Sequence, residues 1–165
     1  MIRQLKHDDI ESFIELRREA LAESPLAFAS SPADDINCTL ETLRIQIQQK
    51  PDSVIFGAFQ ENLIGSVGLY RDRHLKYSHK AHLWGMYVAQ LYRRQGFGMQ
   101  LLLTVLDHAR KLPNLSQVQL SVSSAALSAK RLYEKAGFHI WGTEEDALRY
   151  EHHTLTEYYM VFHLD

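Results

Sequence analysis

Apolar positions recur along the chain at two spacings, and their alternation predicts the order of the elements. After a short strand at Ile2 to Leu5, Ile10, Phe13, Ile14 and Leu21 fall on one helical face. Asp8 followed by Glu11 has the form of a capping box at the start of that helix, and Pro25 stops it. Residues 26–37, rich in Ser, Ala, Pro and Asp, read as a loop, and Thr39 is placed to cap a second helix with Leu40, Leu43 and Ile47 on one side. The spacing then shortens to that of strands. Val54 to Phe59 and Leu63 to Tyr70 are β-rich runs joined by Gln60-Glu61-Asn62, a connection suited to a hairpin, and a third strand covers Ala81 to Val88. Beyond a glycine-containing turn, Leu101, Leu102, Val105, Leu106 and Ala109 return to helical spacing until Pro113-Asn114. Val118, Leu120 and Val122 alternate as a strand, and Ala126 to Lys135 follows as a helix stopped by Gly137, a residue type that tolerates the left-handed turn after a helix end. Phe138 to Gly142 and Glu157 to Leu164 close the chain as strands. No repeat or linker interrupts the pattern, so the expectation is one mixed α/β domain over residues 1–165.

Composition narrows the function classes. The 165 residues can bury a core without disulfide or metal staples, and 45% apolar with 23% charged residues is ordinary for a globular protein. Eighteen Lys and Arg against 20 Asp and Glu leave a formal charge of -2, so no whole-molecule field draws in nucleic acid or an anionic membrane. Any anion site must be local. The lone Cys38 rules out an internal disulfide, and the opening residues show no signal-like apolar run, so the expected location is the cytoplasm.

The turn Arg93-Arg94-Gln95-Gly96-Phe97-Gly98 supplies a local anion site. A strand that enters such a turn and leaves as a helix aims backbone N–H groups and the positive end of the helix dipole at one spot. Gly96 and Gly98 let a phosphate approach the main chain, and Arg93 and Arg94 add positive charge. On the other reading, the glycines serve the geometry of the turn alone.

Here the sequence resembles the GNAT superfamily of N-acetyltransferases. Its pyrophosphate loop reads Arg or Gln, two residues, Gly, one residue, then Gly or Ala, as do Arg93 to Gly98. Its next block, Ala-x-x-Leu-Tyr-x-x-x-Gly-Phe, is matched by Ala129, Leu132, Tyr133, Gly137 and Phe138. The strand Leu83 to Val88 also looks like the family's central strand. Two positions depart: Ala126 stands where relatives often have an Asn that contacts the CoA arm, and Arg94 where many have Gly. The resemblance implies a central, mostly antiparallel twisted sheet of about seven strands flanked by about four helices, with a splayed central strand pair. It also implies acetyl-CoA as acyl donor and an amine as acceptor.

Carried over by position, Met86, Tyr87 and Val88 would hold the pantetheine arm through their backbone. Arg93, Arg94, Gln95, Gly96, Phe97 and Gly98 would hold the pyrophosphate, with Ala126 and Ala129 beside the cofactor. The implied reaction is direct attack of the amine on the thioester, with CoA thiolate leaving. Tyr133 is the implied general acid, since a phenol of reference pKa about 10 stays protonated at neutral pH; packing on the sheet is its alternative role. The base is less legible, because the central strand carries no carboxylate. His82 and Glu157 are the candidates, with a water relay beside them, and each can equally be an ordinary surface residue.

Cys38 has no histidine partner nearby in sequence to make it a nucleophile. The histidines at 79, 82, 152 and 153 have no ligand spacing, so no metal is expected. For the acceptor, Leu26 and Phe28 suggest an apolar wall, while Asp34, Asp35, Glu144, Glu145 and Asp146 can attract a cationic amine or simply be solvated. Two other functions stay open, acyl-CoA sensing without turnover and acetylation of a protein terminus or lysine. Tyr158, Tyr159, Val161 and Phe162 suggest an apolar edge for a homodimer.

Overall fold

The computed structural model describes residues 1–47 and 50–164. Its strands are β1 (Ile2–Gln4), β2 (Ser53–Phe59), β3 (Leu63–Arg71), β4 (Lys80–Val88), β5 (Gln117–Ser123), β6 (His139–Tyr150) and β7 (His153–His163). They form one sheet in the order β1-β2-β3-β4-β5-β7-β6. The α-helices among the described residues are α1 (Ile10–Glu23), α2 (Leu40–Gln46), α3 (Phe97–Arg110) and α4 (Leu127–Ala136).

The sheet separates two apolar layers, as expected for helices packed on both faces. Val54, Phe56, Val67, Leu69, Val118 and Leu120 meet α3 through Leu101, Leu102, Val105 and Leu106 in the larger one. Ile55 and Trp84 meet α1 and α2 through Ile10, Phe13 and Leu43 in the other. Because β2 is covered on both faces, it reads as a near-continuous apolar run. Trp84 lies so close over Gly68 that a Cβ there would fall 2.2 Å from the indole, and Phe13 meets the same ring edge-on at 6.1 Å.

Neighbouring strands pair antiparallel except β4 and β5, which α3 connects in parallel. That pairing is short: Lys80, Ala81 and His82 face Gln117, Val118 and Gln119, and then the strands part. On its other side β4 stays paired with β3 through Val88, but the register slips between Ser66 and Gly68, where Gly85 adopts φ +62°. A bulge of this kind adds twist and bends the strand away from its neighbour. The splayed central pair thus lies between a sheet half that α1 and α2 cover and a half built from the closing strands.

Three expectations need correction. The carboxylate at the start of α1 that closes on the backbone is Asp9, not the Asp8 and Glu11 pair: it accepts the Lys6 amide at 2.7 Å and the Arg3 guanidinium at 2.7 and 2.8 Å. The closing strands are longer than their apolar stretches, because the polar segments 143–150 and 153–156 also pair, with irregularities between Ile140 and Gly142 and between Glu144 and Leu148. Finally, β7 is not an edge: it is paired on both sides, Val161 is buried, and Tyr158 and Phe162 pack on the larger core. Their apolar character is spent inside the molecule. Thr39, by contrast, caps α2 as expected, its hydroxyl accepting the Thr42 amide at 3.2 Å.

Candidate acetyl-CoA and acceptor sites

Gly96 opens α3 at φ +87°, a left-handed conformation that residues with a Cβ rarely adopt. The first amide bonded back to this turn is that of Gln100, donating to the Gly96 carbonyl at 3.0 Å, so the amides of Phe97, Gly98 and Met99 have no helical carbonyl one turn back. Gly98 sits where α3, α4 and β4 converge: a Cβ there would lie 3.3 Å from Leu132, 3.7 Å from Met86 and 4.0 Å from Val88. The start of α3, the central strand and α4 therefore meet at Gly98. Gln95 ties the loop internally, its amide donating to the Leu91 carbonyl at 3.1 Å. Arg94 is exposed at φ +63°.

Arg93 has a different setting from the one the motif suggests. Its Nε donates to the Val88 carbonyl at 2.8 Å, and its other nitrogens reach Glu23 at the end of α1, also at 2.8 Å. Tyr87 completes this cluster, its hydroxyl lying between Glu19, at 2.9 Å, and Glu23. Burial and the two carboxylates push the Tyr87 pKa well up. Arg93 is thus a clamp between strand, loop and α1, with its charge largely met by Glu23. Glu19 and Glu23 are residues that sequence reasoning missed; four apart on a helix, they look like an ordinary solvated face.

Tyr133 is buried on α4 with its ring 5.8 Å from that of Phe138, and burial raises its pKa, keeping the hydroxyl protonated. Ala126 precedes the first turn of α4 and, with Ala129, packs against the larger core. A position occupied by alanine offers no polar side-chain contact to a ligand.

Beyond the bulge, a cleft of about 1160 Å³ opens against Leu83, Trp84 and Gly85, and its lining includes Arg17, Phe28, Asp35, Ser121 and Glu157. A hollow of about 530 Å³ beside His7 and Arg44 shares none of these residues. Glu157 is half-buried on β7, and burial, reinforced by the paired Glu144 and opposed by Ser121, raises its pKa. His82 is stacked on Tyr70 at 5.0 Å with Asp72 at 3.8 Å, and burial lowers its pKa against the pull of Asp72. Of the two base candidates, Glu157 is the one among the residues lining the cleft. Phe28 does form part of its wall, while Asp35 is engaged by Arg17 and Asp146 by Arg149. Cys38 also lines the cleft, but burial pushes its thiol up to about 11, which leaves it protonated and a poor nucleophile. No group of three or more His, Cys, Asp or Glu side chains able to hold a metal occurs among the described residues.

An anion-seeking helix start beside a strand with unpaired backbone suits a long ligand that has a phosphate head and an amide-bearing arm, which describes a coenzyme A thioester. The class so defined is that of acyl-CoA-dependent transferases, and the comparisons identify the family within it. The model of the Acetyltransferase (GNAT) family matches residues 13–138, and the chain belongs to that family, which uses acetyl-CoA. It is 25% identical to an acetyltransferase of the GNAT family from Streptococcus pneumoniae, with a TM-score of 0.87 over 100% of this chain and 99% of that one. A GCN5-related N-acetyltransferase from Kribbella flavida shares the fold at 23% identity, with a TM-score of 0.85 over 99% and 97% of the two chains. A Salmonella typhimurium protein solved with its cofactor acetyl-CoA does so at 16% identity, with a TM-score of 0.86 over 100% and 94%. A search of the curated proteins gave no match. Among the described residues, no helix is long and apolar enough to cross a membrane.

Proposed function

We propose that the protein transfers the acetyl group of acetyl-CoA to a primary amine of a small molecule or amino acid, with both substrates bound at once. The observation that carries this reading is the form of β4, which leaves β5 after His82 and bulges at Gly85 towards a cleft lined by Glu157. Acetyl-CoA supplies the thioester carbonyl. The α3 start and its loop, Arg94 to Gly98, hold the pyrophosphate, and Arg93 fixes the loop to Val88 and Glu23. The backbone of Met86, Tyr87 and Val88 pairs with the pantetheine arm, and Ala126 and Ala129 flank it.

An amine is a nucleophile only when neutral, and its reference pKa of about 10 means that a base must take a proton near pH 7. Glu157, with its raised pKa, is the carboxylate suited to that work, directly or through water. Tyr133 keeps its proton and is the donor for the departing sulfur. A thiol-release assay with acetyl-CoA across amines, amino acids, polyamines, aminoglycosides and peptides tests the proposal. Release that depends on a small amine is expected, and acetyl-CoA binding without release for any acceptor would leave a sensing module instead.

A further inference from the structure

The acyltransfer reading leaves Arg17 unused, although this arginine from the middle of α1 is nine-tenths buried in the wall of the acceptor cleft. Its Nε and Nη2 make a bidentate pair with Asp35 at 3.0 and 3.2 Å, and its guanidinium carbon lies 5.2 Å from the centre of the Phe28 ring. Held on one edge and one face, the group has a fixed plane. Its remaining nitrogen, Nη1, faces the bulge, where a Cβ on Gly85 would lie 3.7 Å from it, and the guanidinium also meets the thiol of Cys38. A thiol is a weak acceptor, so a guanidinium held in the wall of the cleft is better satisfied by an anion there.

The geometry points to Arg17 as the residue that selects the acceptor, through a charge-assisted hydrogen bond from Nη1 to a carboxylate on the amine, so that the acceptor belongs to the amino-acid class. This inference rests on the acyltransfer proposal. The cleft also fits the other end of a zwitterion: the carboxylate beside Gly85 places the neighbouring amine at the start of the segment assigned to the cofactor arm, in a cleft that Glu157 also lines. Asp35 neutralises much of the charge of Arg17, so what remains is a directed donor with little long-range pull, and discrimination should appear between acceptors of similar shape. Cys38 nearby is protonated and does not compete as an anion.

The test compares matched pairs, alanine with alaninamide and methionine with methioninamide, by thiol release at saturating acetyl-CoA, with rates corrected for the fraction of free amine. The wild type should prefer the acid over the amide by about tenfold or more in kcat/KM, and Arg17→Met should bring that ratio close to one while KM for acetyl-CoA stays within about twofold. Arg17→Lys, which keeps a charge but loses the fork, should recover part of the preference. Equal turnover of acid and amide by the wild type would overturn the inference and leave the acyltransfer reading standing. A preference that survives in a folded Arg17→Met protein would overturn the assignment to Arg17. No release with any amine would remove both readings together. The wild-type comparison needs no variant and decides whether the acceptor carries a carboxylate. If Arg17→Met fails to fold, Arg17→Lys decides the assignment to Arg17, an unchanged acid-to-amide ratio and KM for the acid in that variant overturning it.

Discussion

Glu157 and Tyr133 became candidates by different routes, and the difference shows in what can be predicted for each. Tyr133 stands in a spaced motif that the chain retains whole, so its position was legible before its surroundings were. Its replacement by Phe removes one oxygen from a buried ring; we expect kcat to fall by about tenfold or more with acetyl-CoA affinity changed less than about twofold, measured by thiol release and calorimetry. Unchanged turnover would mean that the hydroxyl only packs. Glu157 was legible only as an acidic residue in a closing strand, since nothing local distinguishes a working carboxylate from a solvated one; its burial beside Glu144 and Ser121 sets it apart from a solvated glutamate and supports its proposal as the base. Because that setting raises its pKa, the acid limb of kcat/KM should lie above the ordinary carboxylate value of about 4.3, activity falling as the pH drops and the base takes a proton. Glu157→Gln should lower kcat by about a hundredfold and abolish that limb. Arg17 and Glu23 carried no sequence signal at all, because a charge on an amphipathic helix looks the same whether it meets water or a partner 70 residues away.

Among the elements, the ones set by strong periodicity came through with ends shifted by a few residues at most: α3, α4, β2 to β5 and the capped α2. The exceptions have a common cause. β6 and the first turn of β7 are exposed on most positions, so no alternation of apolar residues marks them, and their pairing is fixed by the partner strand instead. At the start of α1, Asp9 rather than Asp8 faces back because Arg3 in β1 reaches it. The guanidinium hydrogen bond of Arg3 holds the Asp9 carboxyl below its usual value. A carboxyl lowered by folding stabilises the fold above its unfolded-state pKa of about 3.9 and loses that contribution as pH falls through the lower folded value. Asp9→Asn should therefore cost about 1 kcal/mol at pH 7 and much less near pH 2, measured by urea unfolding at both values. The Glu23 clamp is the corresponding link at the far end of α1. Glu23→Ala should destabilise the protein by about 1 kcal/mol, since the part-buried Tyr87 hydroxyl would lose one of its two carboxylates and Arg93 an exposed ion pair.

For the molecule as a whole, two apolar layers on either side of one sheet supply the stability, and the central strand pair is where that sheet is least complete. The layers follow from the patterning and were foreseeable. Where the strands part was foreseeable only through the family resemblance, because missing hydrogen bonds leave no mark on side-chain type. Ligand binding to the folded state alone raises stability by about 2.7 kcal/mol at a hundred times Kd, so acetyl-CoA should raise Tm by roughly 5–10 °C at that excess. Gly96→Ala should reduce the rise, because its φ of +87° is strained for alanine. The parting of β4 from β5 also has a consequence in time. Central strands usually guard their amide protons longest, yet the amides of residues 83–88 that face β5 meet no strand there. In deuterated water the middle of this sheet should exchange ahead of its flanks, and with acetyl-CoA bound it should slow to their pace. The interior strand would thus behave as an edge until its substrate completes the sheet.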